Sequence, residues 1–408
     1  MIPDTPIIES LLDLDAYKIR MGQFVFHRYR EAPVKYRFTN RTTAVRLADM
    51  IPIEVLRKHL NHITTLTFSA DEIAYLKTLS VADDYIKYLK TLRLPELCID
   101  QHDGQFIIET ETDSWSQLIL WETLVLSTVS ELYTHYLAKD RRTNLIRLIT
   151  HTGIERLGKK IAALRSLTNT GIIDFGTRRR AVRFWQKRVL HHLANRLPSH
   201  LFDGTSNLFF AKELGIPVKG TMAHELFMVL SCLTDTDHGI RGTHFRVLDE
   251  WYDEYGLDLS IALSDTFGTR AFFEDFETDL TLSYNGTRHD SGCPYEYGAK
   301  TIRHYEHYEV DPMEKSIVFS DGLDIDSIIA LHRYFDGRIN TSFGWGTTLT
   351  NDIGLPTISI VMKAIGAFGR STVKLSDNLA KAIGEPERIE RFKKIFGYTN
   401  TSLQMCVV

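Results

Sequence analysis

Between residues 171 and 347 the chain repeats one pattern. A short strand-like run ends in Gly, Asp, Thr or Arg, and a helical stretch leads to the next run. The repeats read GIIDFGTRRR (171–180), IPVKGTMAHE (216–225), LSIALSDTFG (259–268), GTRHDSG (286–292), SIVFSDGLD (316–324) and RINTSFGWGT (338–347). Apolar runs alternating with helices predict parallel strands joined by crossover helices. No Gly-x-Gly-x-x-Gly opens a helix in these repeats, so the usual mark of a dinucleotide-binding sheet is missing. A barrel accounts better for polar residues after every strand, because the βα loops of a barrel converge on one mouth. The expected class is α/β, with a TIM-like barrel over residues 116–355.

The flanking chain reads differently. VKYRFTNR at 34–41 alternates apolar and polar residues, as a half-buried strand does. SADEIAYLKTL predicts a helix capped by Ser69, and Gln105–Glu111 predicts another strand. Residues 1–115 therefore read as a small α+β domain, followed by a core helix within Ser116–Asp140, which lacks Gly and Pro. In the C-terminal segment, 356–408, TISIVMKAIG and STVKLSD look like strands and PERIERFKKIFG like an exposed helix. One arrangement open to this segment is a return to the N-terminal unit.

Composition excludes several classes. A chain of 408 residues, 43% hydrophobic and 25% charged, can bury a core without disulfides or a structural metal. A net charge of -4 gives no reason to expect a nucleic-acid partner. Cys98, Cys232, Cys293 and Cys406 are scattered, with no CxxC pair, which fits a reduced, cytoplasmic protein. The N-terminus does not read as a signal peptide, and no run approaches the ~18 apolar residues of a membrane span.

Each polar loop alone is weak evidence. Asp265 and Asp321 could be helix caps. Gly344 and Gly346 could be turn residues, and His224 a hydrogen-bonded core histidine. Together, Arg178, His224, Asp265, Arg288, Asp290 and Asp321 at one mouth would be costly to desolvate without a ligand or mutual pairing. Arginines bind phosphate and carboxylate as forks, and Gly-rich turns before helices offer backbone N–H groups to phosphate. Ser320-Asp321-Gly322 and Gly344-Trp345-Gly346 supply such turns. The set suits a phosphorylated sugar. No Walker-type G-x-x-x-x-G-K-[ST] is present, so any ATP binds elsewhere.

The order of LLDLDAYKIRMGQ, YRFTNR, DFGTRRR, DGTSNLFFAKELGIPVKGTMAHE, LSDTFGT, RHDSGCP, FSDGLD, SFGWGTTLTND and KLSDN resembles the nicotinate phosphoribosyltransferases, from about residue 11 to 378. The resemblance implies an irregular α/β barrel with an N-terminal sandwich-like domain, in a homodimer. It implies ATP-stimulated, ligase-type transfer of phosphoribosyl from phosphoribosyl pyrophosphate to nicotinate in NAD biosynthesis. His224 matches the histidine that ATP phosphorylates, a phosphohistidine. Phe175 and Tyr17 match aromatic residues that sandwich the pyridine, Tyr17 coming from the partner subunit. Arg178 and Arg288 match arginines around the pyrophosphate and the nicotinate carboxylate, and Asp265 and Asp290 match carboxylates near the ribose. Ser320, Asp321, Gly322, Gly344 and Gly346 match turns holding the 5′-phosphate. Mg²⁺ would accompany the pyrophosphate, with Asp290 or Asp321 as candidate ligands; the metal site itself stays unassigned.

Ser206 stands where related nicotinamide enzymes carry Asp, and a neutral donor there favours a carboxylate substrate; it could equally cap the following helix. Trp345 and Thr348 depart from the family's usual small aliphatic residue and Asn, which bears on the shape of the phosphate turn. Nicotinamide transfer and a non-catalytic, binding-only barrel are the competing readings.

Overall fold

The structure, a computed structural model, describes residues 4–399, so Cys406 lies outside it. Eleven strands are found among the described residues: β1 Val34–Asn40, β2 Cys98–His102, β3 Gln105–Thr112, β4 Thr170–Asp174, β5 Phe202–Thr205, β6 Ile261–Leu263, β7 Gly286–His289, β8 Ser316–Phe319, β9 Asn340–Trp345, β10 Ile360–Ala367 and β11 Arg370–Ser371. They form two sheets. One is antiparallel, in the order β11-β10-β1-β3-β2. The other is parallel, in the order β5-β4-β9-β8-β7-β6.

The antiparallel sheet follows from local pattern. Along β1, Val34, Tyr36 and Phe38 are buried while Arg37 and Thr39 are exposed, as a period-2 strand with one solvated face requires. Its two neighbours are β3 and β10, so a strand from near the C-terminus completes a sheet begun near the N-terminus. Ser69 accepts from Glu72 N–H at 3.2 Å and Glu72 accepts from Ser69 N–H at 2.7 Å, the reciprocal cap that starts the helix Ala70–Thr78.

The parallel strands are short and buried on both faces, as crossover helices on either side demand; every residue of β4 and β7 is buried. Five of the six repeats become strands. The sixth, at 216–225, does not. Instead Pro217–Lys219 runs alongside β5: Thr205 N–H donates to the Pro217 carbonyl at 3.1 Å and Lys219 N–H to the Thr205 carbonyl at 2.9 Å. Proline has no N–H to give to a ladder, which stops this run from being a regular strand. A Cβ on Gly204, at φ 128°, would sit 2.1 Å from the Pro217 carbonyl oxygen, so the close approach requires glycine there. The α/β class stands as expected, but among the described residues no strand pair joins β6 back to β5, so the sheet is not closed by hydrogen bonds.

The helix Trp121–Asp140 joins the two sheets, packing on β10 and on the Thr177–Arg179 turn that follows β4. It is buried almost all round through its first fourteen residues, Trp121–Thr134, which explains its apolar sequence. No helix among the described residues is long and apolar enough to cross a membrane. The C-terminal helix Pro386–Ile395 is less exposed than its sequence suggests. Phe392, and Phe396 just beyond the helix, are buried against Phe267.

Candidate active site

Because the strands of the second sheet are parallel, their carboxyl ends share one edge, and the polar loops of the repeats meet there. β4 leads into Phe175–Arg178, β5 into Ser206, β6 into Asp265, β7 into Asp290, β8 into Ser320–Gly322 and β9 into Gly346. His224 starts the helix His224–Leu230, after the irregular run beside β5.

His224 is the hub. Its Nε2 lies 2.8 Å from Asp290 Oδ2, 2.9 Å from Lys374 Nζ and 3.7 Å from Asp265 Oδ1, and its Nδ1 lies 3.0 Å from Thr266 Oγ1. Burial, reinforced by the Lys374 ammonium, pushes its pKa down to about 4 against the pull of the two aspartates, so the ring is neutral at pH 7. Asp265 is buried and accepts from Ser291 at 2.5 Å and Ser376 at 3.2 Å. Burial would raise its pKa, but Lys374 and His224 outweigh that and hold it at about 2. Asp290 likewise stays well below the carboxylate range: burial is outweighed by its bond to His224 and by Arg288. Neither Asp265 nor Asp321 is a cap. The helix after Asp265 begins at Gly268 without a side-chain cap, and Asp324 caps the helix after Asp321.

Arg288 donates to Thr221, while its Nε, like Asp265 Oδ1, has no hydrogen-bond partner among the described residues. Buried orphans of opposite sign on one edge are what a polar ligand would satisfy. Arg178 reaches Asp15 Oδ2 at 3.3 Å and Glu122 Oε1 at 3.6 Å. Its guanidinium lies 5.9 Å from the centre of the Tyr17 ring of the same chain. Tyr17 thus lies beside Arg178 in this chain. Phe175, Gly176, Arg178, Glu122, Gly346, and Thr347 line one cleft. His224 does not line that cleft; the two ends meet through Asp290, whose charge acts on both Arg178 and His224.

The glycines of the turns have separate reasons. Gly322 adopts φ 58°, a conformation that L side chains avoid. A Cβ on Gly344 would fall 2.3 Å from the Phe175 ring, so glycine lets that ring pack directly against β9. Ser320 donates to Asp290 Oδ1 at 2.8 Å, and Asp321 pairs with Lys381. Ser206 is not the helix cap: Asn207 accepts from Phe210 N–H at 3.0 Å in that role. Ser206 instead donates to Asp15 Oδ1 at 2.6 Å, beside Arg178.

Lys374, Ser376 and Lys381 come from a part of the chain that the repeats do not contain. The KLSDN stretch crosses the mouth, with Leu375 N–H donating to the Thr266 carbonyl at 2.8 Å and Lys381 Nζ to the Asp290 carbonyl at 3.1 Å. The signal for it was its place among the ordered motifs, not its own pattern. Asp15, two residues before Tyr17, and Glu122, inside the apolar helix, also escaped notice; an acid in the apolar first turns of that helix was the available clue.

His224, Asp265 and Asp290 could in principle ligate a cation, their donor atoms lying within 4.8 Å of one another. They do not fit a resident Mg²⁺. The Lys374 ammonium already stands at that point, Mg²⁺ prefers oxygen ligands, and both Asp290 oxygens and Asp321 Oδ1 are engaged.

Residues 170–400 match the nicotinate phosphoribosyltransferase (NAPRTase) family, and residues 12–130 match the NAPRTase N-terminal domain. A crystal structure of nicotinate phosphoribosyltransferase from Vibrio cholerae superposes with a TM-score of 0.88 at 33% identity, covering 98% of this chain and 96% of that one. The nicotinate phosphoribosyltransferase of Porphyromonas gingivalis gives 0.85 at 29% identity, covering 96% of this chain and 100% of its own. The crystal structure of a Saccharomyces cerevisiae protein described as a putative nicotinate phosphoribosyltransferase gives 0.85 at 29%, covering 98% of this chain and 100% of that one.

Proposed function

The chain belongs to the nicotinate phosphoribosyltransferase family, and from that premise we propose how its strand-end mouth does the work. The enzyme joins nicotinate to phosphoribosyl pyrophosphate, giving nicotinate mononucleotide and pyrophosphate in NAD biosynthesis. In the transfer the C1–O bond to pyrophosphate breaks and the pyridine nitrogen lone pair forms the new C1–N bond. The transition state carries positive charge on the ribose. Asp290 and Asp265, both ionised at neutral pH, face that charge, and Arg288 faces the departing pyrophosphate. Arg178 takes the nicotinate carboxylate, with Phe175 and a Tyr17 against the ring. Any Mg²⁺ would be carried by the pyrophosphate and would neutralise its oxygen charge, since the protein groups present offer it no cage.

ATP drives the reaction through His224. A neutral imidazole has one lone pair, which attacks the γ-phosphorus; an N–P bond forms, the P–O bond to the β-phosphate breaks, and ADP leaves. The observation that carries this reading is the buried, neutral His224 set between Asp290, Lys374 and Thr266. The phosphohistidine would hold a dianion beside Lys374. The enzyme works in the cytoplasm, as a homodimer in which Tyr17 is contributed across the interface.

Pyrophosphate release is measured with nicotinate and phosphoribosyl pyrophosphate, with and without ATP, alongside a search for acid-labile phosphate after γ-labelled ATP. In His224→Ala the label and the ATP stimulation vanish while basal transfer persists; full stimulation in that variant refutes the role of His224. Ser206→Asp sets a second carboxylate beside Asp15 and penalises nicotinate against nicotinamide; an unchanged preference removes Ser206 from specificity. Sedimentation at micromolar concentration reads the homodimer directly.

A further inference from the structure

We propose that Trp345 and Thr348 form a positioning clamp that sets the gap between the two turns holding the 5′-phosphate. This rests on the reading of Ser320–Gly322 and Gly344–Gly346 as phosphate turns, and adds which residues fix their spacing.

The ties are specific. Trp345 is wholly buried, and its indole N–H donates to Thr348 Oγ1 at 2.6 Å. The Thr348 hydroxyl in turn donates to the carbonyl of Leu323, which ends the turn after β8. One side-chain bond therefore joins the loop after β9 to the loop after β8. The Trp345 carbonyl accepts from Phe175 N–H at 2.9 Å, so the same residue also holds the loop after β4. From the outer face Lys160, itself paired with Asp352 at 2.7 Å, donates to the Thr348 carbonyl and lies 5.4 Å from the centre of the indole.

A hydroxyl has one hydrogen. Thr348 gives its hydrogen to Leu323, so it is a tie between turns and not a phosphate donor. The chain's two departures from the family pattern, Trp345 and Thr348, thus bond to each other, and neither does its work without the other. An aliphatic residue at 345 would leave the Thr348 hydroxyl without its indole donor. An apolar residue at 348 would leave a buried indole N–H and the Leu323 carbonyl unpaired, which costs more than a bond in water is worth.

The test uses the full chain with Trp345→Phe, Thr348→Val and the double variant, reading KM for phosphoribosyl pyrophosphate and for nicotinate, and inhibition by ribose 5-phosphate. Each single variant raises the KM for phosphoribosyl pyrophosphate and the ribose 5-phosphate inhibition constant about tenfold. Nicotinate KM moves less than about twofold, and the double variant is no worse than the weaker single, as shared partners predict. Thr348→Ser, which keeps the hydroxyl, retains wild-type values. Multiplying losses in the double variant, equal changes in both KM values, or a loss in Thr348→Ser each overturn the clamp. If Thr348→Val does not fold, Thr348→Ala against Thr348→Ser gives the same contrast. A wild-type chain that releases no pyrophosphate sinks the proposed function, and the clamp with it. A working wild type with additive variants sinks the clamp alone.

Discussion

Two charged clusters lie one residue apart in the chain and behave in opposite ways. Glu225 belongs to the inner one. Lys18 stands between Glu225 Oε2 at 2.7 Å and Glu122 Oε2 at 2.8 Å, and all three side chains are 0% exposed. Lys363 meets the other Glu122 oxygen at 2.6 Å, while Tyr36 and Trp115 donate to the other Glu225 oxygen. This cluster is closed to solvent with opposite charges matched, and it meets the outer one only at Glu122, which also faces Arg178. His224 belongs to the outer one, where Asp290 is 28% and Arg178 36% exposed by side chain and Arg288 Nε is left without a partner. Sealed charge joins the antiparallel sheet to the helix Trp121–Asp140; open charge lines the strand-end mouth. Burial and pairing, not residue type, separate architecture from chemistry here.

The largest effect should come from breaking the sealed cluster. Lys18→Ala leaves two buried carboxylates without their shared cation and costs about 3–5 kcal/mol in urea denaturation. A loss below about 1 kcal/mol would show that water reaches the cluster and that it is not sealed. Next comes the open cluster, where stability and activity should part. Asp290→Asn lowers kcat about a hundredfold or more, the scale of one lost electrostatic stabiliser, with a much smaller change in Tm than Lys18→Ala. If both variants lose stability alike, the contrast between the two regions fails.

The sequence showed the open cluster better than the sealed one, for a physical reason. Asp265 and Asp321 follow short apolar runs, and Asp290 a short strand in the same series, so their position along the chain reports their position in space. Lys18, Glu122, Glu225 and Lys363 share no such rule; their meeting depends on how two sheets pack on one helix. The same limit hid Lys374 and Lys381, which reach the mouth only because β10 and β11 turn the chain back across it. Strand β5 was missed because PheAspGlyThr, at 202–205, is only four residues long and half polar. The run at 216–225 was over-read because its alternation ignored Pro217. Cap chemistry was legible at Ser69, where Glu72 follows at the right spacing, and left open at Ser206, where the adjacent Asn207 took the role.

A pH profile sharpens the comparison further. An ordinary imidazole with a pKa near 6.5 would be about nine-tenths protonated at pH 5.5. With His224 held at about 4 by burial and Lys374, its lone pair stays available, so the rate of histidine phosphorylation should be nearly flat from pH 8 to 5.5. A tenfold fall over that range would mean that the imidazole is as open as a surface histidine.

The smallest effect probes a flaw on the sealed side. Behind the loop after β4, Asp13 and Arg180 make a bidentate pair at 2.6 and 2.8 Å. Glu131 is the surplus acid beside them, accepting Arg183 N–H at 2.9 Å and lying 3.6 Å from Arg180 Nε. Burial outweighs Arg180 and pushes Glu131 up to about 7 from an ordinary 4.5. A carboxyl whose folded pKa is raised favours folding while it is protonated. That contribution is complete below pH 4.5 and is lost as the pH rises through 7. Glu131→Gln removes the charge and keeps an acceptor for Arg183. Against the wild type it should therefore gain on the order of 1–2 kcal/mol between pH 4.5 and pH 8, read by urea denaturation. Parallel stability curves for the two proteins would place Glu131 among the matched charges, and the inner region would then carry no surplus acid at this position.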